Sequence, residues 1–283
     1  MARLIVRFCS YFFLFLVGLP FPSLAGVADS AFNDGVKLFR AGKYKEAIAA
    51  YDRAVKAAPN SAEVYNNRGL AYYKLGDYAS ALKNYNEALK LNGKFIDARI
   101  NRANALFGQK QFERAIKEYD DVIGQNPKAR GIYHQRGLAH AALGQNEKAI
   151  ADFNQAQKLD PKDAEIYQSR GLAYRRIGRH EEAIRDYSEA IKLDRKNAEA
   201  YNNRGNTYAL LGKYDLALKD FDEAVKLDSK SARIIANRGV IKLRLGRTEE
   251  ARKDFQRAIE LDPTLKERLE ALVADGKPLI ENR

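Results

Sequence analysis

Three histidines, His134, His140 and His180, are the side chains of this 283-residue chain best suited to acid–base or metal chemistry. His134 and His140 stand six apart, so on a helix they point in different directions and make no i, i+4 metal pair. The run His180-Glu181-Glu182-Ala183-Ile184 begins like a zinc-protease helix, but Ile184 stands where the second histidine belongs. The stretch from Gly205 to Gly212-Lys213-Tyr214 has neither the spacing nor the Ser/Thr after lysine of a phosphate-binding loop. No serine or cysteine sits in a nucleophile elbow. The chain reads as a non-enzyme, with no metal and no cofactor.

Arginine supplies the regular spacing. Arg68, Arg102, Arg136, Arg170, Arg204 and Arg238 recur every 34 residues, a ladder that could grip phosphate or carboxylate. A plainer partner lies sixteen residues further on, at Asn84, Glu118, Asp152, Asp186, Asp220 and Asp254 respectively. Upstream, where Asp34 replaces the arginine, Ala50 replaces the acid. Charges that appear and vanish together are expected to pair, because a half-buried guanidinium needs a carboxylate to offset desolvation.

The elements that must hold these residues are helices. In 198–231, Tyr201, Gly205 and Tyr208 lie on a first amphipathic helix (helix A), and Gly212 breaks it at a site suited to positive φ. Tyr214, Ala217, Leu218, Phe221, Ala224, Val225 and Leu227 form the stripe of a second, helix B. Two short helices cannot bury that stripe alone. The same block recurs without insertion over 28–61, 62–95, 96–129, 130–163, 164–197, 198–231 and 232–265. Small residues keep their places, Gly35, Gly69, Gly137, Gly171, Gly205 and Gly239 on helix A and Ala47 to Ala251 on helix B, which suits close helix packing. Pro59, Pro127, Pro161 and Pro263 close helix B. The third block departs, with Ala103 for the helix A glycine, Lys110 for the turn glycine and Gly108 two residues earlier, which predicts an altered turn. Residues 264–276 continue as an amphipathic segment, its apolar side carrying Leu265, Leu269, Leu272 and Val273, so that 266–283 is expected to give a capping helix and a tail.

In period and in its small and aromatic residues the block resembles the tetratricopeptide repeat. The resemblance implies an all-α fold, a right-handed α-solenoid of seven helix-turn-helix repeats plus the C-terminal capping helix, with helix A lining a concave groove. It also implies a protein or peptide ligand in that groove. Asn67, Asn101, Asn203 and Asn237 are then candidates to hydrogen-bond an extended peptide, with Gln135 and Ser169 at the same place in the fourth and fifth blocks. Capping or bridging of neighbouring helices is the equal alternative. Tyr73 and Phe107 could supply an apolar floor, and Arg175, Arg176 and Arg244 could attract an acidic segment. The family's two-carboxylate clamp is absent, since Ile100 and Asn202 stand where lysine would precede Asn104 and Asn206.

Residues 1–25 differ in kind. Arg3 and Arg7 precede an uncharged run from Phe8 to Leu19, and Ser23-Leu24-Ala25 offers a cleavage site, with Ala28 as a second. This predicts a secretory signal peptide, because the run is shorter than the ~20 apolar residues of a membrane span. Cys9, the one cysteine, would leave with it. Of the net charge of +12, Arg3 and Arg7 carry two, and the remaining +10 is spread over the seven blocks without concentrating in one, which argues against a nucleic-acid stripe. The expectation is a periplasmic scaffold for protein partners within an envelope complex. A polyanion-binding solenoid and a self-assembling spacer are the alternatives.

Overall fold

A computed structural model describes residues 24–129 and 131–274; the leader through residue 23 and the tail from 275 lie outside the described residues. It is an all-α solenoid of paired helices, with no strand among the described residues. Packing divides the chain into two units at Phe95/Ile96. The first pairs α1 (Leu24–Arg40) with α2 (Tyr44–Ala57) and α3 (Ala62–Lys74) with α4 (Tyr78–Leu91). In the second, α5 (Ile96–Gly108) pairs with α6 (Phe112–Gln125), and α7 (Ile132–Ala142) with α8 (Asn146–Leu159). α9 (Ala164–Arg176) pairs with α10 (His180–Leu193), and α11 (Ala198–Leu210) with α12 (Tyr214–Leu227). α13 (Ala232–Arg244) pairs with α14 (Thr248–Leu261), and a 3-10 turn at Pro263–Leu265 leads into α15 (Lys266–Ala274). Helix A of each block is thus an odd-numbered helix and helix B the even-numbered one after it.

Within each unit the two sides of the stack differ. Successive helices A touch one another, α1 with α3 in the first unit and α5, α7, α9, α11 and α13 in order in the second. Successive helices B make no comparable contact. A stack whose A helices converge while its B helices spread is curved, with helix A on the inside.

Two local devices set this geometry. One is a ring on helix B laid against the glycine of helix A: a Cβ added at Gly69 would stand 2.7 Å from Tyr85 Cε1, and one at Gly137 2.6 Å from Phe153 Cε1. Both rings are fully buried. The other is the left-handed turn between the helices. Gly144 sits at φ +74°, donating to Ala141 O while Gln145 N reaches His140 O. The third block was expected to turn differently, and it does not. Lys110 takes φ +60° and donates to Phe107 O, with Gln111 N on Leu106 O, the same two bonds. The hydrogen bonds and the buried α5–α6 contacts outweigh the strain of a side chain in the left-handed region. α15 caps the stack as expected, burying Leu269 and Leu272 against Ile235 and Phe255. Replacing Lys110 with glycine should release that strain and stabilise the chain by about 1 kcal/mol, read as a higher urea midpoint.

Candidate functional site

Each ladder arginine meets the residue sixteen places on. Nε lies 2.7 Å from Asn84 for Arg68, 2.8 Å from Asp152 for Arg136 and 2.8 Å from Asp186 for Arg170. Arg204 reaches Asp220 at 2.8 Å and Arg238 reaches Asp254 at 2.9 Å, while Arg102 uses Nη2 on Glu118 at 2.6 Å. A second contact escaped the sequence reading. Nη1 turns back sixteen residues to the previous helix B, onto Asp52 from Arg68, Asp120 from Arg136, Asn154 from Arg170, Ser188 from Arg204 and Asp222 from Arg238. One guanidinium therefore ties two successive B helices. Its signal was present, a short polar residue at each of those places, but without a fixed charge.

For Arg68, Arg136, Arg170 and Arg204 a tyrosine three residues earlier lies under the guanidinium, 5.6 Å from ring centroid to Arg170 Cζ at Tyr167. Burial opposes the charge of Arg170, and the hydrogen bond and charge of Asp186 outweigh it, so the guanidinium stays above its ordinary pKa. An arginine with this many partners is spent on the scaffold.

The helix A amides are partly spent as well. Asn67 Nδ2 donates to Glu63 O of its own helix, Asn203 is buried, and Asn237 Nδ2 donates to Asn202 Oδ1 on the preceding helix A at 3.0 Å. Ser169, at the equivalent place on α9, lies 3.0 Å from His134 Nε2 on α7. The bridging alternative thus accounts for Asn237 and for Ser169, while Asn101 is half-buried on α5. Tyr73 and Phe107 are half-buried and engage rings across the turn, Tyr78 at 5.4 Å and Phe112 at 5.2 Å. Arg176 is exposed and donates to Ala141 O, and Arg244 is half-buried.

Arg175 has a different setting. With α11, α13 and α15 it lines an open cavity of about 260 Å³. Leu210, Val240, Ile241 and Leu272 supply apolar wall, and Asn206, Asn237 and Arg268 join Arg175 as its polar groups. Burial raises the Tyr187 hydroxyl to about 12 and the nearby Arg175 charge pulls it down. The guanidinium approaches that hydroxyl, yet neither Arg175 Nε nor Tyr187 Oη completes a hydrogen bond of normal geometry. Asn206 and Arg268 were missed in the sequence, because only the docked α15 completes the cavity.

The sequence profile described as tetratricopeptide repeat matches residues 62–95, 198–231 and 232–265, and that described as TPR repeat matches 35–76, 137–178 and 171–212. The chain belongs to the tetratricopeptide repeat family. Inside the array the matches leave out 96–136, the stretch holding Ala103 and Lys110. Residues 41 to the end of MamA from Desulfovibrio magneticus RS-1 are 26% identical, covering 60% of this chain and 96% of that one with a TM-score of 0.57. A tetratricopeptide repeat protein from Parabacteroides merdae ATCC 43184 is 22% identical over 88% of this chain and 98% of its own, TM-score 0.68. YrrB, described as a TPR protein with an unusual peptide-binding site, is 23% identical over 66% and 96%, TM-score 0.54. The last two likenesses are of fold alone. Comparison with curated proteins finds no match. Tetratricopeptide arrays are non-catalytic scaffolds that generally mediate protein–protein interactions through a concave groove. Among the described residues no cluster of metal-ligating side chains occurs, and no helix is long and apolar enough to cross a membrane.

Two tests follow from the buried polar contacts. Arg170→Met strands the Asp186 carboxylate, whose side chain is 8% exposed, and should cost about 3–5 kcal/mol. Adding Asp186→Asn should recover part of that loss in the same denaturation assay. His134 is buried, and burial holds its pKa below the ordinary 6.5 against the opposing charges of Asp163 and Glu165. The unfolded chain then takes up this proton at higher pH than the folded one. Stability is lost as pH falls from 6.5 toward the folded pKa, and His134 contributes no slope above that window. The difference in melting temperature between wild type and His134→Gln, followed from pH 7 to 5, should show that slope.

Proposed function

We propose that this chain is a non-catalytic scaffold that holds a segment of a partner protein against its helix A face. The carrying observation is the apolar stripe left half-exposed there. Val36 and Leu70 in the first unit, and Leu138, Leu172 and Val240 in the second, occupy equivalent helix A places, and Val240 lines the cavity. Half-exposed aliphatic groups on an inward-curved face gain from being covered. The peptide-binding site described for YrrB is an instance of this architecture holding a peptide. The array comprises seven repeats over 28–265, in the register of the helix pairs.

The scaffold works after export, in the periplasm, as part of an envelope complex. Arg3, Arg7 and the apolar run to Leu19 support that address. Cleavage after Ala25 suits the fold better than cleavage after Ala28, because Ala28 is itself buried in the first helix pair. Polyanion binding is disfavoured because the arginine ladder is engaged with carboxylate, amide and hydroxyl oxygens.

Photo-crosslinking residues at Leu138, Leu172 and Val240, compared in living cells with the exposed helix B sites Ala151, Arg185 and Lys219, test the reading. Helix A sites should capture a protein adduct that helix B sites do not. Equal capture from both faces, or capture from helix B alone, defeats it.

A further inference from the structure

We propose that the cavity between α9, α11, α13 and α15 receives the last residue of a partner chain, an apolar side chain together with its free α-carboxylate. This rests on the scaffold reading and names the end of the segment that the groove would hold.

Charge is the first argument. Ladder arginines in this protein stand against acids or polar oxygens, as Arg170 stands against Asp186. Arg175 and Arg268 face one cavity whose lining contains no carboxylate, and among the described residues neither lies in an ion pair. Arg175 Nε is shut off from water and completes no hydrogen bond of normal geometry, although its guanidinium approaches the Tyr187 hydroxyl. Two guanidiniums beside an apolar hollow repel each other until an anion enters, and a carboxylate matches their fork.

Size is the second argument. About 260 Å³ falls below the ~300 Å³ at which pockets for drug-sized ligands begin, so it suits one residue better than an extended stretch. An internal Asp or Glu beside an apolar neighbour spends two residues to present both groups. A chain terminus presents them from one carbon, with Leu210, Val240, Ile241 and Leu272 around the side chain.

The amides complete the fit. Asn237 gives its Nδ2 to Asn202, which fixes the amide and turns its Oδ1 into the remaining acceptor, suited to the terminal residue's N–H. Asn206, one turn of the stack away on α11, can donate to the preceding carbonyl.

The test uses the full chain and fluorescein-labelled Gly-Ser-Gly-Ala-Leu, as free acid and as C-terminal amide, in fluorescence anisotropy. The free acid should bind, and the amide at least about tenfold more weakly, the worth of one charge-assisted hydrogen bond. Arg175→Gln and Arg268→Gln should each weaken the acid about tenfold with helicity unchanged. Arg268 is exposed on α15, so its replacement spares the fold. Ala209→Phe, which fills the cavity without altering charge, should abolish binding. Equal binding of acid and amide, no binding of either at about 1 mM, or binding untouched by Arg268→Gln overturns the proposal. N-acetyl-leucine binding as tightly as the peptide also overturns it, in favour of a small-molecule site. If the helix A crosslinks persist in the Arg268→Gln chain while peptide discrimination is missing, the scaffold reading stands and this inference alone fails.

Discussion

Everything in this array hangs on how near helix B can come to helix A. At Gly35, Gly69, Gly137, Gly171 and Gly239 the nearest ring carbon is closer to the missing Cβ, at 2.5–2.9 Å, than any real Cβ tolerates. At these five places the ring therefore lies nearer than an alanine methyl comfortably permits, and it is buried; at Gly205 the gap is 3.2 Å, and in the third block Ala103 takes the glycine's place with Tyr119 still buried. Interiors packed at crystal-like density do not absorb such displacements gradually. An arginine has a fixed length, and here it must reach one helix B with Nε and the previous one with Nη1. Both reaches depend on that separation, so the ring–glycine contact comes before the ion pairs in the order of causes.

The ladder in turn explains why arginine and not lysine holds this place. A point charge could satisfy one acid, whereas the planar fork meets Asp186 with Nε and Nη2 and still offers Nη1 to Asn154. Buried ion pairs seldom add much net stability over apolar packing. What this one adds is a fixed spacing between a repeat and the one before it, the nearest-neighbour term on which solenoid stability is built.

Much of this was legible because it is local. Helix A, turn and helix B fit inside one period, and the arginine with its acid sixteen residues on lies within it too. The reading weakened where a contact crosses periods. Ser188 and Asp222 serve the same guanidinium contact from the preceding helix B, so no single residue type marks the place. Asn237 looked like a groove residue because an amide can serve a ligand or a neighbouring helix, and only the stack shows it turned toward Asn202. Lys110 misled in the opposite direction. Its type argued for another turn, but the buried pair α5–α6 dictated the same hydrogen bonds and imposed φ +60° on a lysine.

A periodic surface has a difficulty as a binding surface: a ligand that fits one register fits the next almost as well. Specificity is a difference between affinities, so it must arise where the period breaks. The ladder arginines cannot supply it, being equivalent and occupied. The non-repeating residues can. Arg175 stands where the other helices A carry Phe39, Tyr73, Phe107, Ala141, Ala209 and Leu243, and Arg268 stands on α15 one period after Ile234, an arginine where the seventh block has an apolar residue. The end of the array, where α15 covers apolar surface that another repeat would have covered, is where this chain holds a unique arrangement of charge beside a hollow. A partner that must dock in one register gains most by placing its own unique feature, its terminus, at that end.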